Sequence, residues 1–339
     1  MKIYDFDTLH LGRVPYNGSE PKTCLGDGKY LYVVKEPRPK KVNLPKFRRD
    51  FSADFYYNCV SEYLGSHIFV LCGIETHETY LGYFTCVDGV RRICVACKDF
   101  TTDDKYVDEN GATLVRICSL AEYKHDFKRN GVDENPLINR ADGDASLEEI
   151  ERMFRESKYF KDKADEFINE FYDRFVVDTL ISNCDRHNGN TSFLAPVSDL
   201  PNVRNLFKMS PVYDCGASFI SQATTERLEY VLNHENELND RLYDFFGSKI
   251  LETDSSTDKI RPGTYFNSLK NENLNKAILR MYPRIKEALP SMYEVIDDLE
   301  SSGVIEPIRA KFYKVFIEGR FKMIIESVYL KLIKRNKEN

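Results

Sequence analysis

The pattern of apolar and polar residues divides the chain into a β-rich beginning and a helical remainder. Short apolar runs bounded by turns that contain Gly and Asp predict strands at 29–35, 78–86 and 90–100. A helical repeat of apolar residues predicts one helix at 52–73, with Ser52 as its N-cap and Gly73 as its stop. The first hundred residues are therefore expected to form a sheet with one helix.

Beyond about residue 100 the pattern favours helices and loops. A capping box, Ser146 followed by Glu149, predicts that a helix begins at 146–157. The segment 163–183 has phenylalanines spaced four apart and becomes apolar on all sides toward its end. It is therefore predicted to be the central buried helix of the second lobe. The last seventy residues are predicted to be mostly helical.

Composition narrows the class of protein. The net charge of −6 gives no electrostatic support for general nucleic-acid binding. No apolar stretch is long enough to cross a bilayer, and the first residues lack the pattern of a signal peptide. Nine scattered cysteines fit a reducing compartment, so we expect a cytoplasmic protein that does not bind membranes. The single Cys94-x-x-Cys97 pair lacks the second pair of a zinc site, which favours buried strand cysteines.

Three polar residues have the spacing that magnesium-dependent phosphoryl transfer uses. Asp185 precedes Asn190 by five positions, and Asp214 follows Asn190 by twenty-four. One carboxylate can orient or deprotonate an attacking hydroxyl, while an amide oxygen and a second carboxylate can hold magnesium. The spacing repeats the Asp-x4-Asn of protein-kinase catalytic loops, and Asp214-Cys215-Gly216 is similar to their Asp-Phe-Gly. Taken singly, these residues could also be turn residues that cap their own backbone.

The first lobe contains residues that could bind the phosphates of a nucleotide. Lys35 ends an apolar strand, as the phosphate-binding lysine of kinases does. Upstream, the segment 16–23 can cover phosphates with its backbone, and Gly18 permits close approach. The predicted helix places Glu62 where it can pair with Lys35. His187, beside the Asp-Arg pair, could act as a base or brace the loop by hydrogen bonding.

Taken together, these segments resemble the HipA-like family of bacterial serine/threonine kinases, in particular its short CtkA-like branch, and more distantly phosphatidylinositol kinases. The resemblance covers roughly residues 15–220 and is carried, in the family's order, by YNGSEPKTCL, YVVK, SEYLGSHIFVLCGIETHETYLG, VACKDF, DRHNGN and PVYDCGASF.

The resemblance implies a role for each matching residue. Asp185 would be the catalytic base or the acid that orients the hydroxyl, and Asn190 and Asp214 would be the magnesium ligands. Lys35 would bind the ATP phosphates, and Glu62 would support it. The phosphate loop would run from Gly18 through Ser19 to Lys22, and the backbone of Cys97, Lys98 and Asp99 would hold adenine. Ser19 and Thr23 are candidate autophosphorylation sites by their position in that loop. The loop differs from those of relatives because it has one glycine and contains Pro21.

The prediction is thus an α+β protein with a two-lobed, protein-kinase-like fold. Residues 1–97 would form a small antiparallel β lobe with one helix, and residues 98–339 a larger, mainly helical lobe. The predicted function is a protein serine/threonine kinase with ATP and Mg²⁺ as cofactors, a protein substrate, and an antitoxin or other regulatory partner. A lipid or small-molecule kinase with the same residues, and a non-catalytic nucleotide-binding regulator, stay open as alternatives.

Overall fold

The chain folds into two compact units, each assembled from three segments. The structure is a computed structural model that describes residues 1–12, 21–40, 52–129, 145–198, 201–244, 249–256 and 259–338. Unit 1 consists of Met1–Ala112, Pro211–Asn239 and Ala288–Ile317, and unit 2 of Thr113–Ser210, Asp240–Glu287 and Glu318–Asn339. The predicted lobe boundary between residues 97 and 98 stays a prediction.

Unit 1 contains a six-stranded sheet. Its strands are β1 (Tyr4–Asp5), β2 (His10–Leu11), β3 (Lys22–Gly26), β4 (Leu31–Lys35), β5 (Thr79–Thr85) and β6 (Arg91–Lys98). The order across the sheet is β1-β5-β6-β4-β3-β2. The β1 strand runs parallel to β5, and the other neighbours are antiparallel. Strands β4, β5 and β6 confirm the three predicted strands.

Strand β4 begins at Leu31 because the residues before it form a tight turn. Gly28 has a φ of +93°, which glycine adopts at little cost. The Asp27 carboxylate accepts hydrogen bonds from the backbone N–H groups of Lys29 (2.9 Å) and Tyr30 (2.7 Å). The strand then runs through the buried Val34. This turn fixes where the strand starts and therefore where Lys35, its last residue, lies.

Helix α1 (Asn58–Leu71) is shorter than the predicted helix. The prediction that Ser52 caps it is wrong, because Ser52 forms an antiparallel bridge with Ala223 and its neighbour Ala53 donates its N–H to the carbonyl of Gln222. The predicted end is confirmed, since Gly73 follows the helix with a φ of +78°. Helix α1 packs against β5 and β6, and its buried side chains include Leu64 and Ile68.

Unit 2 begins with strands and helices around a small antiparallel sheet. They are β7 (Val115–Ser119), α2 (Leu120–Arg129), α3 (Leu147–Glu156), α4 (Ala164–Ile181), β8 (Ser192–Pro196), α5 (Pro201–Arg204) and β9 (Lys208–Met209), with the strand order β7-β8-β9. Ser146 caps α3 as predicted, because its Oγ accepts the N–H of Glu149 at 3.0 Å. The Glu149 carboxylate does not complete the capping box, since it pairs with the buried Lys124 at 2.9 Å.

Helix α4 is the buried helix that the apolar pattern predicted. Twelve of its residues are buried, including Phe167, Phe171 and Phe175. It ends at Ser182, which has a left-handed φ of 53° and donates its N–H to the carbonyl of Thr179. The residues predicted to be catalytic follow directly, so this helix end fixes where their loop begins.

The rest of the chain is mostly helical, as predicted. The helices are α6 (Thr225–Asn233), α7 (Glu235–Tyr243), α8 (Pro262–Asn267), α9 (Glu272–Ser301), α10 (Pro307–Arg320) and α11 (Ser327–Glu338), with a π-helical turn at Phe321–Glu326. Among the described residues, no helix combines the length and the apolar character that crossing a bilayer requires.

Candidate active site

In unit 1 the structure brings together Lys35, Glu62 and Asp214, which lie far apart in the sequence. The Nζ of Lys35 lies 3.0 Å from Oε2 of Glu62 and 3.1 Å from Oδ1 of Asp214. The lysine ends β4, the glutamate lies on α1, and Asp214 lies in the segment that follows β9. The predicted pairing of Lys35 with Glu62 is present, and the ammonium group is held between two carboxylates.

Glu62 is the centre of this cluster. Its side chain is fully buried, and its Oε1 accepts the backbone N–H of Asp214 at 2.9 Å. The Nε2 of His77 lies 3.0 Å from the same oxygen, although without the alignment of a good hydrogen bond. Burial alone would raise the pKa of Glu62, but Lys35 and then His77 outweigh it and hold this pKa well below its usual range. Glu62 is therefore a charged anchor for Lys35.

The backbone around Asp214 is shaped to meet Glu62. Asp214 has a left-handed φ of 64°, which is uncommon outside glycine. Two residues later, a Cβ on Gly216 would lie 3.4 Å from Oε2 of Glu62 and 3.3 Å from the carbonyl oxygen of Asn58. Both distances are tight or at the edge of ordinary contact, so glycine lets the segment approach the helix. The Asp214 side chain stays 33% exposed, which leaves it accessible to a ligand.

The predicted adenine-binding segment lies at the end of β6 in the same unit. The Nζ of Lys98 contacts Glu78 at 3.1 Å and Asp103 at 2.6 Å. Its backbone N–H donates to Glu78, and the N–H of Asp99 donates to Leu31 at 2.8 Å. These two N–H groups are thus used within the sheet, so a nucleotide would have to use other atoms of the segment. Adenine binding here stays a prediction.

Cys97, also part of that segment, is buried beside the Glu62 cluster. Its Sγ, Nε2 of His77 and a carboxylate oxygen of Glu62 lie within 4.8 Å of one another, which is the donor set of a soft-metal site. However, burial first and then the charge of Glu62 raise the pKa of Cys97 well above its usual value. The thiol is therefore protonated, and Glu62 is already bound by Lys35, so we interpret the group as a packed ion-pair cluster.

The predicted phosphate loop is described only in part. Gly18 and Ser19 lie outside the described residues. Lys22 begins β3 and stands opposite Lys35 in the antiparallel register. Thr23, one of the candidate autophosphorylation sites, lies opposite Val34 in the same pair of strands. Phosphate binding by this segment stays a prediction.

In unit 2, the segment predicted to be the catalytic loop is anchored to the end of α4. Arg186 donates from Nε to Oδ2 of Asp178 at 2.9 Å and from Nη2 to Oδ1 at 3.2 Å. This bidentate pair is buried, and the same guanidinium donates to the carbonyl of Asn190 at 3.2 Å. A charge-assisted fork of this kind fixes direction as well as distance. Arg186 thus ties both ends of the loop to the helix.

Asp185 and Asn190 are held inside this loop. The backbone N–H of Asp185 donates to Oδ1 of Asn183 at 3.2 Å. The amide Nδ2 of Asn190 donates to the carbonyl of Asp185 at 2.9 Å, so its amide oxygen is the atom that it can offer to a cation. The carboxylate of Asp185 forms an ion pair with Lys249, and its side chain is 37% exposed.

His187 braces the loop. Its Nδ1 accepts the backbone N–H of Gly189 at 2.9 Å, which places the proton of a neutral ring on Nε2. A Cβ on Gly189 would lie 2.7 Å from Cε1 of His187, so glycine is needed for the ring to lie this close. The geometry favours the bracing interpretation over a role as base, and direct catalysis by His187 stays a prediction.

The oxygen donors that the chain offers are suited to a hard cation. Asp214 offers a carboxylate that is partly exposed, and Asn190 offers an amide oxygen. Oxygen ligands of this type fit Mg²⁺. Magnesium binding by these residues stays a prediction.

Comparison with known proteins assigns the family. The HipA-like C-terminal domain matches residues 15–288, which is most of the chain. The chain belongs to the HipA-like family. The serine/threonine-protein kinase CtkA of Helicobacter pylori is 31% identical over 303 residues, which cover 89% of this chain and 80% of that protein.

One solved structure agrees with this assignment. The crystal structure of the Helicobacter pylori proinflammatory kinase CtkA has a TM-score of 0.79 and 25% identity, and covers 98% of both chains. HipA of Shewanella oneidensis, solved with HipB and its operator DNA, has a TM-score of 0.48 and 14% identity over 94% of this chain and 67% of that one. The predicted family and the predicted kinase-like α+β fold are thus confirmed by the CtkA match.

Several residues of this HipA-like protein were missed by sequence reasoning. His77 lies in a polar segment before β5, with no motif to single it out. Asp178 is one of many residues on an apolar helix, and Lys249 comes sixty-four residues after Asp185, the residue that it contacts. His77 and Lys249 are recognised only by partners distant in sequence, which no local pattern reveals, whereas the partner of Asp178 is Arg186, eight residues later.

Proposed function

We propose that this protein is an ATP- and magnesium-dependent serine/threonine protein kinase. The observation that carries the proposal is the cluster in which Glu62 and Asp214 hold the ammonium group of Lys35. A buried glutamate that aims a strand-end lysine is the arrangement that protein kinases use to bind ATP phosphates. The predicted enzyme class, a phosphotransferase, agrees with the name of the 31% identical relative.

Lys35 would bind the nucleotide phosphates. Its side chain is 12% exposed, so its ammonium group keeps some access to solvent while most of the side chain is buried. The full negative charge on Glu62 holds that group in place before a ligand arrives, which lowers the cost of ordering it on binding. A lysine without such a support would have to be ordered by the nucleotide itself.

Asp214 and Asn190 would supply oxygen ligands to the metal. When bound, Mg²⁺ would neutralise charge on the phosphates. Asp214 contacts Lys35 through Oδ1, and its partly exposed carboxylate would hold the cation. Asn190 would offer the amide oxygen that its hydrogen bond to the Asp185 carbonyl leaves available.

Asp185 would act on the attacking hydroxyl. A serine or threonine Oγ would form a bond to the γ-phosphorus while the bond from that phosphorus to the bridging oxygen of ADP breaks, and ADP would leave with the electron pair. The hydroxyl proton would pass to the Asp185 carboxylate and from there to solvent. Catalysis would come mainly from positioning and charge neutralisation, since phosphoryl transfer demands little covalent chemistry of the protein.

The test is incubation of the purified protein with ATP, magnesium and a generic protein substrate, followed by γ-label transfer and intact mass. We expect transfer by the wild type and loss of at least about 100-fold in Asp185→Asn, because the base is gone. Asp54→Asn is the matched control, since that aspartate is 93% exposed. A fully active Asp185→Asn would overturn the assignment of the base.

The same experiment separates the rival functions. Transfer of label to phosphoinositides or a small molecule, and not to protein, would favour the lipid or small-molecule kinase. ATP-induced thermal stabilisation without any turnover would favour the nucleotide-binding regulator. Digestion of a labelled wild-type chain would show whether Ser19 or Thr23 is autophosphorylated. An antitoxin or other regulatory partner stays a prediction.

A further inference from the structure

The carboxylate of Asp185 is paired with a lysine from a distant part of unit 2. Lys249 forms an ion pair with Oδ1 of Asp185, and the two side chains are 36% and 37% exposed. The lysine is attached to an anchored backbone, because the next residue, Ile250, is buried and its carbonyl accepts the N–H of Ile260 at 3.0 Å. Leu251 then donates its N–H to Ala145 at 2.9 Å. Lys249 thus projects from a fixed position.

The positively charged side chain of the loop itself contacts other groups. Arg186, the neighbour of Asp185, is buried and uses its guanidinium on the Asp178 carboxylate and the Asn190 carbonyl. Turning it toward a substrate would take the ion-pair partner from the buried Asp178 carboxylate, which is costly. The positive charge at the Asp185 carboxylate therefore comes from Lys249.

Stability does not explain this pair. Ion pairs between side chains that are about one-third exposed contribute little to folding, because water screens them. The pair instead places an ammonium group at the atom that is proposed to take the hydroxyl proton. A hydroxyl that is hydrogen-bonded to Asp185 and poised for attack lies about 3–3.5 Å from the phosphorus. A group in contact with that carboxylate is therefore within a side-chain rotation of the transferred phosphoryl oxygens.

We infer that Lys249 is a further catalytic residue, which orients Asp185 and donates a hydrogen bond to an oxygen of the transferred γ-phosphoryl group. This inference rests on the proposed kinase function. Lys249 keeps its proton throughout: the hydroxyl proton goes to Asp185, and the electron pair of the broken phosphorus–oxygen bond goes to ADP. The ammonium group offsets the charge on the phosphoryl oxygens, and three donors on one nitrogen allow it to contact both groups.

The opposite interpretation makes the opposite prediction. If Lys249 only blocked Asp185, its removal would free the carboxylate and raise the rate of transfer. A donor to the transition state must instead lower the rate when it is removed. The sign of the change in kcat therefore decides between the two.

The experiment compares wild type, Lys249→Met, Lys249→Arg and Lys334→Met. Lys334 is a 79% exposed lysine of the last helix and controls for loss of one charge. We expect Lys249→Met to lower kcat by about 10–1000-fold and to raise KM for ATP by less than about tenfold, because the contact exists with bound ATP and becomes stronger in the transition state. Lys249→Arg should recover a large part of kcat, and Lys334→Met should match the wild type. An unchanged or raised kcat in Lys249→Met would overturn the inference.

A second measurement does not depend on turnover. A lysine that contacts the γ-phosphoryl group gives wild type a preference for ATP over ADP, measured by calorimetry with magnesium, and Lys249→Met should reduce that preference several-fold. An unreduced preference overturns the role of Lys249 even if the wild type transfers no phosphate. Absence of transfer by wild type would in turn count against the proposed kinase function alone. The melting temperature of Lys249→Met should stay within about 2 °C of wild type, since the pair is exposed.

Discussion

Replacing Glu62 by glutamine tests how much the buried cluster of Lys35, Glu62 and Asp214 contributes to the free energy of unfolding. The glutamine amide has the size of the carboxylate but lacks its charge, and its NH2 group can only donate hydrogen bonds. Lys35 and the N–H of Asp214 both need an acceptor there. Removing one partner of a buried ion pair costs about 3–5 kcal/mol, and because Lys35 keeps Asp214 we expect about 2–3 kcal/mol.

The dependence on pH identifies the charge as the cause. The pKa of Glu62 is lower in the folded protein than its ordinary value of 4.5. The Glu62 charge therefore makes its full contribution to the unfolding free energy above pH 4.5. That contribution is lost as the pH falls from 4.5 toward the pKa of Glu62 in the folded protein. The difference in unfolding free energy between wild type and Glu62→Gln should be about 2–3 kcal/mol at pH 7. It should shrink by about 1.4 kcal/mol for each pH unit below 4.5.

The assay is urea denaturation followed by far-UV circular dichroism, since the chain has no tryptophan. Glu318→Gln is the matched control, because Glu318 is 48% exposed and pairs with Lys322 one helical turn away. Its loss should cost less than about 0.5 kcal/mol. The reasoning would be refuted if Glu62→Gln cost no more than the control, or if its effect were the same at pH 3.5 as at pH 7.

Three further predictions concern the loop of unit 2 and the buried thiol. Asp178→Asn should lower the unfolding free energy by about 3–5 kcal/mol and reduce phosphate transfer, because Arg186 loses its buried partner. Thermal melting measures the first effect and label transfer the second. Wild-type stability and transfer would contradict the conclusion that the pair of Arg186 and Asp178 anchors the loop. Gly189→Ala should reduce transfer at nearly unchanged overall helix content, because its methyl group would displace His187; label transfer and circular dichroism measure the two, and unchanged transfer would contradict the bracing role of His187. Cys97 should resist iodoacetamide at pH 8 until urea is added, because burial raises its pKa; rapid alkylation of the folded chain, located by peptide mapping, would disprove the burial.

The sequence pattern predicts the parts of the site that local chemistry marks. The sequence alone shows a lysine at the end of an apolar strand and an aspartate two residues before a glycine. In the structure, Glu62 contacts both of these residues, Lys35 and Asp214. The start of α1 was misplaced because Ser52 is a good cap by type, yet its backbone pairs with Ala223. Tertiary pairing overrides a local preference of about 1 kcal/mol, and a sequence pattern contains no information on that pairing.

His77 and Lys249 were not predicted from the sequence because their roles depend on partners that are distant in sequence. His77 is defined by its distance to Glu62, and Lys249 by its pairing with Asp185, which it follows by sixty-four residues. Histidines and lysines are common in polar segments, so their type alone indicates nothing. Long-range contacts of this kind become visible only when the fold is known.

The left-handed backbone at Asp214 bears on how its side chain should be probed genetically. At a φ of 64°, alanine adds backbone strain of roughly 1 kcal/mol, whereas asparagine tolerates this conformation about as well as aspartate. An inactive alanine substitution would therefore mix two causes, a lost carboxylate and a displaced chain. Asparagine removes the charge and leaves the main chain where Glu62 holds it, so it is the substitution from which a requirement for the carboxylate can be concluded.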